Sequence, residues 1–388
     1  MHENPLRAFY FSENAYPYLP DASEYSSIRN TLPNSLYDPK VGADLYHRYF
    51  DEWQYADEIG LNLMVNEHHS TATNLNPSGA VVLAVLARIT KNARILMLGL
   101  PIANRRDPVR VAEEMAMVDN YSRGRLEVGF VRGVPYEISA QNSNPMRMAE
   151  RMKEAHDLIL KAWTTHDGPF NWEGRYFEHR NVNIWPRPYQ QPRPPVWITC
   201  KTPSQIEWVA DEGHTAATFL TGYGGTKKIF DVYRARCAQN GKPAGPERLA
   251  YAALIYVGET DGAGFAGARK LMWYLTANKV SPQFKNPPGY SSVATSMELM
   301  RGGSTAFDRS SPLEKCIEDG VVFAGNPDTV YEQLRRHNEA VGGYGNLLIM
   351  GQAGFLEHEE TMTSIRLFGT EVYPRLKALN LNAEPVPA

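Results

Sequence analysis

Cysteine is scarce in this sequence, with Cys200, Cys237 and Cys316 the only three among 388 residues. Their number is odd and they stand far apart along the chain. This pattern argues against a disulfide framework and against a zinc site built from cysteines. It predicts a protein of a reducing compartment.

Long apolar runs and blocks of one charge are also missing. No stretch reaches the ~18 apolar residues that a membrane helix needs, and the N-terminus "MHENPLRAFYF" lacks the apolar core of a secretory signal. The 40 basic and 43 acidic residues give a net charge of −3 without a basic block, which argues against nucleic acid as a partner. We therefore expect a soluble cytoplasmic protein.

Short apolar runs that alternate with helical patterns are abundant. Their near-continuous apolar character is typical of parallel strands that are buried on both faces. The clearest helix spans 107–124, with Asp107 as its N-cap and Gly124 at its end. The alternation predicts an α/β fold of the (β/α)8 TIM-barrel type, with a doubly wound sheet as the alternative. The predicted strands are 7–11, 62–67, 94–100, 125–131, 196–200, 215–220, 252–258 and 346–351, and further helices are predicted at 145–165, 226–240, 326–340 and 357–378.

Two long segments interrupt this pattern, 12–40 after the first strand and 281–311 after the seventh. Both are rich in proline, serine, asparagine and tyrosine, and loops of this length are usually functional or disordered. No linker or internal repeat divides the chain, so residues 1–388 are predicted to form a single domain. The 281–311 segment is a candidate lid, expected on the part of the rim opposite Arg132.

Polar side chains follow several predicted strands at the end where TIM barrels carry their chemistry. This placement predicts one polar rim, composed of His68, His69, Arg132, Lys201, Thr202 and Gln352.

An anion site is predicted where Arg132 meets the helix that begins near Thr202. Thr202 and Gln205 form a capping-box pattern, and a helix N-terminus beside an arginine suits a phosphate. The alternative is that Arg132 pairs with a carboxylate at a strand end.

The segment "GAGFAG" (262–267) also matches a dinucleotide-binding pattern, but "ETD" separates it from the preceding strand, so we predict no phosphate loop there.

The motif "NEHHS" (66–70) places Glu67 beside His68 and His69. The histidines could simply pack, one in the core and one at the surface. Zinc is disfavoured because adjacent residues of a strand point to opposite faces and no H-E-x-x-H pattern is present. A general base or a hydrogen-bond donor to a cofactor fits better.

Three segments together resemble the bacterial luciferase-like flavin-dependent monooxygenases. They are "NEHHS", "IANRRDPVRVAEEMAMVDNYSRGRLEVGFVRG" and "PPVWITCKTPSQIEWVADEG", and the likeness continues to "RLFGTEVYPRLK". The resemblance implies a barrel in which reduced FMN and O2 form a C4a-(hydro)peroxide that oxygenates a small organic substrate. It also implies a separate flavin reductase as partner, and we expect a homo-oligomer, either a dimer or a tetramer.

The resemblance also assigns residues by position. His68 matches the catalytic histidine and Arg132 matches the phosphate-binding arginine. A non-proline cis peptide in a strand bulge would fall at Gly99–Leu100, which places both residues at the cofactor. The remaining phosphate-binding positions are Lys201, Thr202, Ser204 and Gln205, and the expected substrate-side or supporting residues are Glu67, His69, Tyr136 and Gln352.

This sequence departs from luciferase at several points. Val131 stands where luciferase has a cysteine near the flavin, so light emission is not implied. Lys201 replaces an acidic residue, and the longer 12–40 insertion suggests a substrate other than a long-chain aldehyde.

Three other functions stay open: hydride transfer with a deazaflavin and without O2, non-catalytic flavin binding, and a metal-dependent barrel hydrolase.

Overall fold

The strands of the computed structural model, within the part of the chain that it describes, are β1 (Arg7–Ser12), β2 (Asn62–Val65), β3 (Ile95–Pro101), β4 (Leu126–Val131), β5 (Phe170–Glu173), β6 (Glu178–Val182), β7 (Val196–Thr199), β8 (Thr215–Phe219), β9 (Leu249–Val257), β10 (Val322–Gly325) and β11 (Asn346–Gln352). Eight parallel strands close into a ring, because β9 pairs with both β8 and β11 and β11 returns to β1. The ring order is β1-β2-β3-β4-β7-β8-β9-β11, which confirms the (β/α)8 barrel and excludes a doubly wound sheet.

The structure describes residues 5–21, 24–25, 27–201, 203–277, 280, 286–293, 296–297 and 311–379. Much of the predicted lid 281–311 and a few positions of the 12–40 insertion therefore lie outside the described residues. Within the described part, no helix is long and apolar enough to cross a membrane.

Helices follow the strands and cover the outside of the barrel. The predicted helix at 107–124 is confirmed as α3, and the Asp107 side chain accepts a hydrogen bond from the backbone N–H of Arg110 at 3.2 Å. In the described part of the chain the helices are α1 (Pro39–Glu58), α2 (Gly79–Ile89), α3 (Pro108–Tyr121), α4 (Pro135–Ala140), α5 (Met148–Thr164), α6 (Pro203–Glu212), α7 (Gly222–Gln239), α8 (Asp261–Leu271), α9 (Trp273–Ala277), α10 (Leu313–Glu318), α11 (Pro327–Ala340), α12 (His358–Leu367) and α13 (Tyr373–Lys377), with a π-helical turn at Phe368–Val372.

Alternating side chains divide the core into two layers. Phe9 and Phe11 of β1 point into the barrel, where Phe9 meets Trp197 edge-on with ring centroids 5.6 Å apart. Ala8 and Tyr10 of the same strand pack in the outer layer beneath the helices. The apolar interior makes the barrel a packed scaffold, so polar chemistry is confined to its ends.

The long strand β9 pairs with three strands. Residues 249–252 pair with β8 and 250–254 pair with β11, whereas 254–257 pair with the short strand β10. β10 was not predicted from the sequence, and neither was the antiparallel hairpin of β5 and β6 that precedes β7.

The glycines of "GAGFAG" lie inside α8 and not in a loop, in agreement with the prediction that they form no phosphate loop. A Cβ atom on Gly264 would lie 2.4 Å from the carbonyl oxygen of Gly325 in β10, and one on Gly267 would lie 2.2 Å from the ring of Tyr256. Small residues are therefore required here because α8 packs directly against β9 and β10.

Candidate active site

An imidazole and a carboxylate from different elements meet at the mouth of the barrel. His68 follows β2 and Glu137 lies in α4, and His68 Nδ1 is 2.8 Å from Glu137 Oε1. The carboxylate is almost fully buried, whereas 16% of the His68 side chain is exposed. Because an ionised carboxylate only accepts hydrogen bonds, the partner assigns a proton to Nδ1, and Nε2 is the nitrogen that accepts in the tautomer this selects.

The same carboxylate holds the neighbouring residue. Glu137 Oε1 also accepts the backbone N–H of His69 at 3.0 Å. Burial by itself would raise the pKa of Glu137, but the hydrogen bond and charge of His68 and the N–H of His69 outweigh it and hold this pKa below its usual value. Glu137 is therefore ionised at neutral pH and fixes the orientation of the "HH" pair.

Tyr136 extends this network into the 12–40 insertion. Its hydroxyl oxygen lies 3.2 Å from His68 Nδ1 and accepts a 2.6 Å hydrogen bond from Nε of the buried Arg29. Burial raises the pKa of Tyr136 well above its usual value, despite the opposing charge of Arg29, so the phenol stays protonated. The insertion thus contributes a cation to the surroundings of His68, which the sequence did not indicate.

Glu67 supports the other histidine. Its Oε1 lies 3.0 Å from His69 Nε2 and also accepts a hydrogen bond from Arg105, while Oε2 accepts the backbone N–H of Gly79 at the start of α2. The predicted separation of His68 and His69 onto opposite faces rested on strand alternation, which does not apply because β2 ends at Val65. The imidazole rings of His68 and His69 belong to one hydrogen-bonded network, and their side chains are exposed to solvent to a similar extent.

Arg132 directly follows β4 at the same end of the barrel. Its Nη1 donates a 3.0 Å hydrogen bond to the carbonyl of Tyr290, and the Tyr290 ring lies 3.8 Å from the guanidinium carbon. Among the described residues, no carboxylate forms an ion pair with Arg132, so the alternative of a structural pair at the strand end finds no support there. The contact also corrects the expected place of the described residues 286–293 of this segment, since Tyr290 lies against Arg132 and not on the opposite part of the rim.

The other predicted phosphate-binding residues follow β7, the strand that pairs with β4. Lys201 is exposed, and its backbone N–H donates to Gln205 Oε1 at 3.2 Å. Ser204 belongs to the first turn of α6, while Thr202 lies outside the described residues. The topology therefore brings the start of α6 beside Arg132.

The predicted bulge in β3 is present, but without a cis peptide. Pairing with β4 shifts register between Leu98 and Leu100, and Gly99 adopts a φ of +137°. Among the described residues the cis bonds precede only prolines, Pro186 and Pro192. Glycine absorbs the extra residue through its positive φ on a trans bond, so the prediction of a cis bond at Gly99–Leu100 was wrong.

Gln352 has a local role at the end of β11. Its Nε2 donates to Thr361 Oγ1 at 2.7 Å and its Oε1 accepts the backbone N–H of Gly354 at 2.8 Å. Both ends of the amide are thus engaged in the turn that follows the strand. This arrangement supports the rim and does not present Gln352 to a ligand.

Asn104 is a buried polar residue beside the Arg132–Gly133 turn that the sequence analysis did not single out. It is 94% buried in the turn after β3, and neither atom of its amide has a hydrogen-bond partner among the described residues. A Cβ atom on Gly133 would lie 2.7 Å from its Nδ2, which places the amide against the Arg132–Gly133 turn. Arg151 holds the Asn104 turn by hydrogen bonds to the carbonyls of Ala103 and Arg105. A buried amide without partners costs about 1–3 kcal/mol, and the polar atoms of a phosphorylated cofactor would satisfy it.

A second histidine cluster lies at the other end of the barrel. His156 Nε2 and His214 Nε2 are 2.8 Å apart, and Glu212 lies within metal-ligand range of both. Burial, His156 and the nearby cations Arg193, Arg248 and Lys242 lower the pKa of His214 to about 2. The 2.8 Å separation is a hydrogen-bond distance, so one ring donates its Nε2–H to the Nε2 of the other.

The closed barrel carries the His68–Glu137 pair after β2 and Arg132 after β4 at one end, the end at which TIM-barrel enzymes carry their chemistry. A family model described as "Luciferase-like monooxygenase" matches residues 34–344, and the chain belongs to that family.

Three similar proteins illustrate the relationship. An uncharacterized protein, y4wF, of Sinorhizobium fredii is 33% identical over 271 residues, which cover 66% of this chain and 77% of that protein. The oxygenase component of flavin-dependent trigonelline monooxygenase from Acinetobacter baylyi is 29% identical over 180 residues, 45% of this chain and 49% of that one. The oxygenating constituent of 3,6-diketocamphane monooxygenase from Pseudomonas putida, solved with FMN, aligns with a TM-score of 0.72 at 18% identity, covering 96% and 98% of the two chains.

The same fold is also found in enzymes that use another cofactor. Solved structures of a coenzyme F420-dependent tetrahydromethanopterin reductase and an F420-dependent secondary alcohol dehydrogenase each align with a TM-score of 0.66, at 14% and 15% identity.

Proposed function

We propose that this protein is the oxygenase component of a two-component monooxygenase, which takes reduced FMN from a separate flavin reductase and uses O2 to oxygenate a small organic substrate. The observation that carries the proposal is the pairing of His68 with the buried, ionised Glu137, on the same rim as Arg132. One group suits proton chemistry and the other suits a phosphate, which are the two requirements of this reaction.

The residues around Arg132 would hold the cofactor. Arg132 would bind the phosphate together with Lys201 and the start of α6, which includes Thr202, Ser204 and Gln205. The bulge at Gly99 and Leu100 would lie beside the flavin. A Cβ atom on Gly99 would come within 3.1 Å of Asn66, so glycine allows the bulge to pack against the segment that leads to His68. The amide of Asn104 would satisfy a polar atom of the cofactor. When bound, reduced FMN supplies the activation of O2.

His68 would hold or move a proton at Nε2 during oxygen transfer. Glu137 keeps Nδ1 protonated, so Nε2 can accept a proton from the substrate or share one with an oxygen atom. Glu67 and His69 would support this arrangement from the side of β2. Water must be kept away from the reacting atoms, because activated oxygen is otherwise lost as H2O2.

The second candidate function is hydride transfer with a deazaflavin, without O2. Its support is the shared fold of the F420-dependent structures, and Arg132 and Lys201 would serve the phosphate of either cofactor.

Cofactor titration distinguishes the two functions. The purified chain is titrated with FMN, riboflavin and F420 under reducing anaerobic conditions, alongside an Arg132→Ala variant. We expect wild type to prefer FMN over riboflavin, and Arg132→Ala to lose about 10- to 100-fold in FMN affinity while binding riboflavin as before. Preference for F420 would favour the second function.

Turnover is then measured with a flavin reductase that supplies reduced FMN. Candidate substrates start from those named for the relatives, trigonelline and diketocamphane. The expected result is a product that carries one atom of labelled oxygen from 18O2. Turnover that proceeds equally well without O2 would contradict the proposal.

A further inference from the structure

The segment that contacts Arg132 is a defined turn with a clear sequence signal. In "NPPGY" (286–290), the backbone N–H of Tyr290 donates to the carbonyl of Pro287 at 3.0 Å, and Gly289 adopts a φ of +83°. Proline at the second position and glycine with positive φ at the third are the features of a type II β-turn. The turn therefore presents Tyr290 in a fixed local conformation.

This turn is seated on the body of the barrel. A Cβ atom on Gly289 would lie 2.2 Å from Cγ of Met146, just before α5. A side chain at position 289 would have to displace Met146, and the positive φ of Gly289 also favours glycine, so alanine here would strain the turn. The turn is thus packed between Met146 on one side and Arg132 on the other.

Tyr290 meets the end of β4 through three separate contacts. Its carbonyl accepts the 3.0 Å hydrogen bond from Arg132 Nη1, and its ring covers the guanidinium at 3.8 Å. Its hydroxyl donates to the carbonyl of Gly133 at 2.8 Å. A single residue therefore holds both the arginine side chain and the backbone that follows it.

These contacts order Arg132 without neutralising it. A guanidinium has five N–H groups, and the carbonyl of Tyr290 engages one of the two nitrogens at its end. The aromatic face attracts the cation but adds no formal charge. Arg132 therefore keeps its full positive charge, in a conformation that is already fixed before an anion arrives.

We infer that Tyr290 is a positioning residue of the phosphate subsite: it prepares Arg132 to bind the phosphate group of the flavin. The inference rests on the proposed function, in which Arg132 binds that phosphate. Tyr290 acts through Arg132, so its effect appears only with a ligand that carries a phosphate. It couples the segment after β9 to cofactor binding at β4.

The test compares dissociation constants for reduced FMN and riboflavin across matched variants. Tyr290→Ala should weaken FMN binding about 3- to 12-fold, because Arg132 must then be ordered by the phosphate itself, and riboflavin affinity should not change. Tyr290→Phe keeps the ring and the backbone, and should stay within about twofold of wild type. Gly289→Ala displaces the turn and should reproduce the loss for FMN. Tyr121→Ala removes an exposed tyrosine at the end of α3 and is the matched control.

The outcomes separate this inference from the proposed function. One outcome supports the phosphate site but overturns the role of Tyr290. In it, wild type prefers FMN over riboflavin, Arg132→Ala loses that preference, and Tyr290→Ala keeps it at the wild-type level. A gain in FMN affinity in Tyr290→Ala would also overturn that role, since Tyr290 would then compete with the phosphate. If wild type shows no preference for FMN over riboflavin, the phosphate site itself fails, and the inference fails with it.

Discussion

His68 Nδ1 and Glu137 Oε1 lie 2.8 Å apart, although 69 residues separate them in the chain. β2 carries the first residue to the rim, and α4 brings back the second just after β4. The carboxylate is buried and its pKa is held below the usual value, so the pair stays assembled at neutral pH. This relationship assigns the tautomer of the proposed catalytic histidine, and it leads to the first prediction.

Replacing Glu137 by glutamine removes the charge and permits the wrong tautomer of His68. We expect product formation to fall about 10- to 100-fold and the H2O2 released per reduced FMN to rise, with FMN affinity within about twofold of wild type. Coupling is measured as product formed per reduced FMN consumed. Glu113→Gln on the surface of α3 is the control. Unchanged coupling in Glu137→Gln would show that the carboxylate does not act through His68.

His68→Ala and His69→Ala should fail in different ways. Loss of the His68 ring removes Nε2 and should reduce oxygen transfer while sparing flavin affinity. Loss of the His69 ring removes one hydrogen bond to the buried Glu67, which keeps Arg105 and the N–H of Gly79, so we expect a loss of about 1 kcal/mol in unfolding free energy. The two variants are compared by the product formed per reduced FMN consumed and by their thermal melting. Equal kinetic damage from both substitutions would contradict this division.

His337 should make stability fall in acid. Burial lowers its pKa from 6.5 to about 4, and this outweighs the opposing contact with the backbone of Gly222. The folded chain keeps His337 neutral, whereas the unfolded chain takes up a proton below pH 6.5. Stability is therefore complete above pH 6.5 and is lost as the pH falls towards 4, by up to about 3 kcal/mol.

The matched variant for this prediction is His337→Phe. It keeps an aromatic ring stacked on Tyr251, whose centroid lies 4.3 Å away, but cannot take up a proton. Thermal melting between pH 7 and 4 should show a shallower decline in the variant than in wild type. His214 titrates in both proteins and does not affect the difference. Parallel curves would contradict the prediction.

Two glycines in α8 provide a matched pair for packing. Gly264→Ala would place a Cβ 2.4 Å from a backbone carbonyl of β10 and should destabilise the fold by about 1–3 kcal/mol. Gly262→Ala meets no atom closer than 3.8 Å and should stabilise the helix by up to about 1 kcal/mol. Denaturant unfolding measures both. A similar effect from the two substitutions would show that α8 is not limited by close packing.

Local patterns predicted the scaffold well. Each of the eight barrel strands was found from its apolar run, and α3 from Asp107 at its start, because an apolar run and a helix cap are both local patterns of the sequence. β10 and the β5–β6 hairpin were missed for different reasons. β10 is a short apolar run, which periodicity alone cannot tell from a buried piece of helix. The hairpin is half exposed and has a largely polar sequence, so it carries no apolar signal.

The candidate site was predicted only in part. The residues at strand ends were found because a barrel brings them to one rim. Arg29, Glu137 and Tyr290 were not found, because each reaches the rim from a loop or a short helix, and their contacts depend on how distant segments fold back. "NPPGY" could have indicated a turn, but nothing in it indicated Arg132 as the neighbour.

The hydrogen bond from Arg29 to Tyr136 has a consequence for anyone who redesigns this enzyme. Grafting the 12–40 segment from another family member, in order to exchange substrate preference, would also replace the cation beside His68. Any change of substrate preference would then be measured together with the loss of the Arg29–Tyr136 hydrogen bond. A chimaera that keeps Arg29 while varying the rest of the segment is the version in which the two properties can be tuned separately.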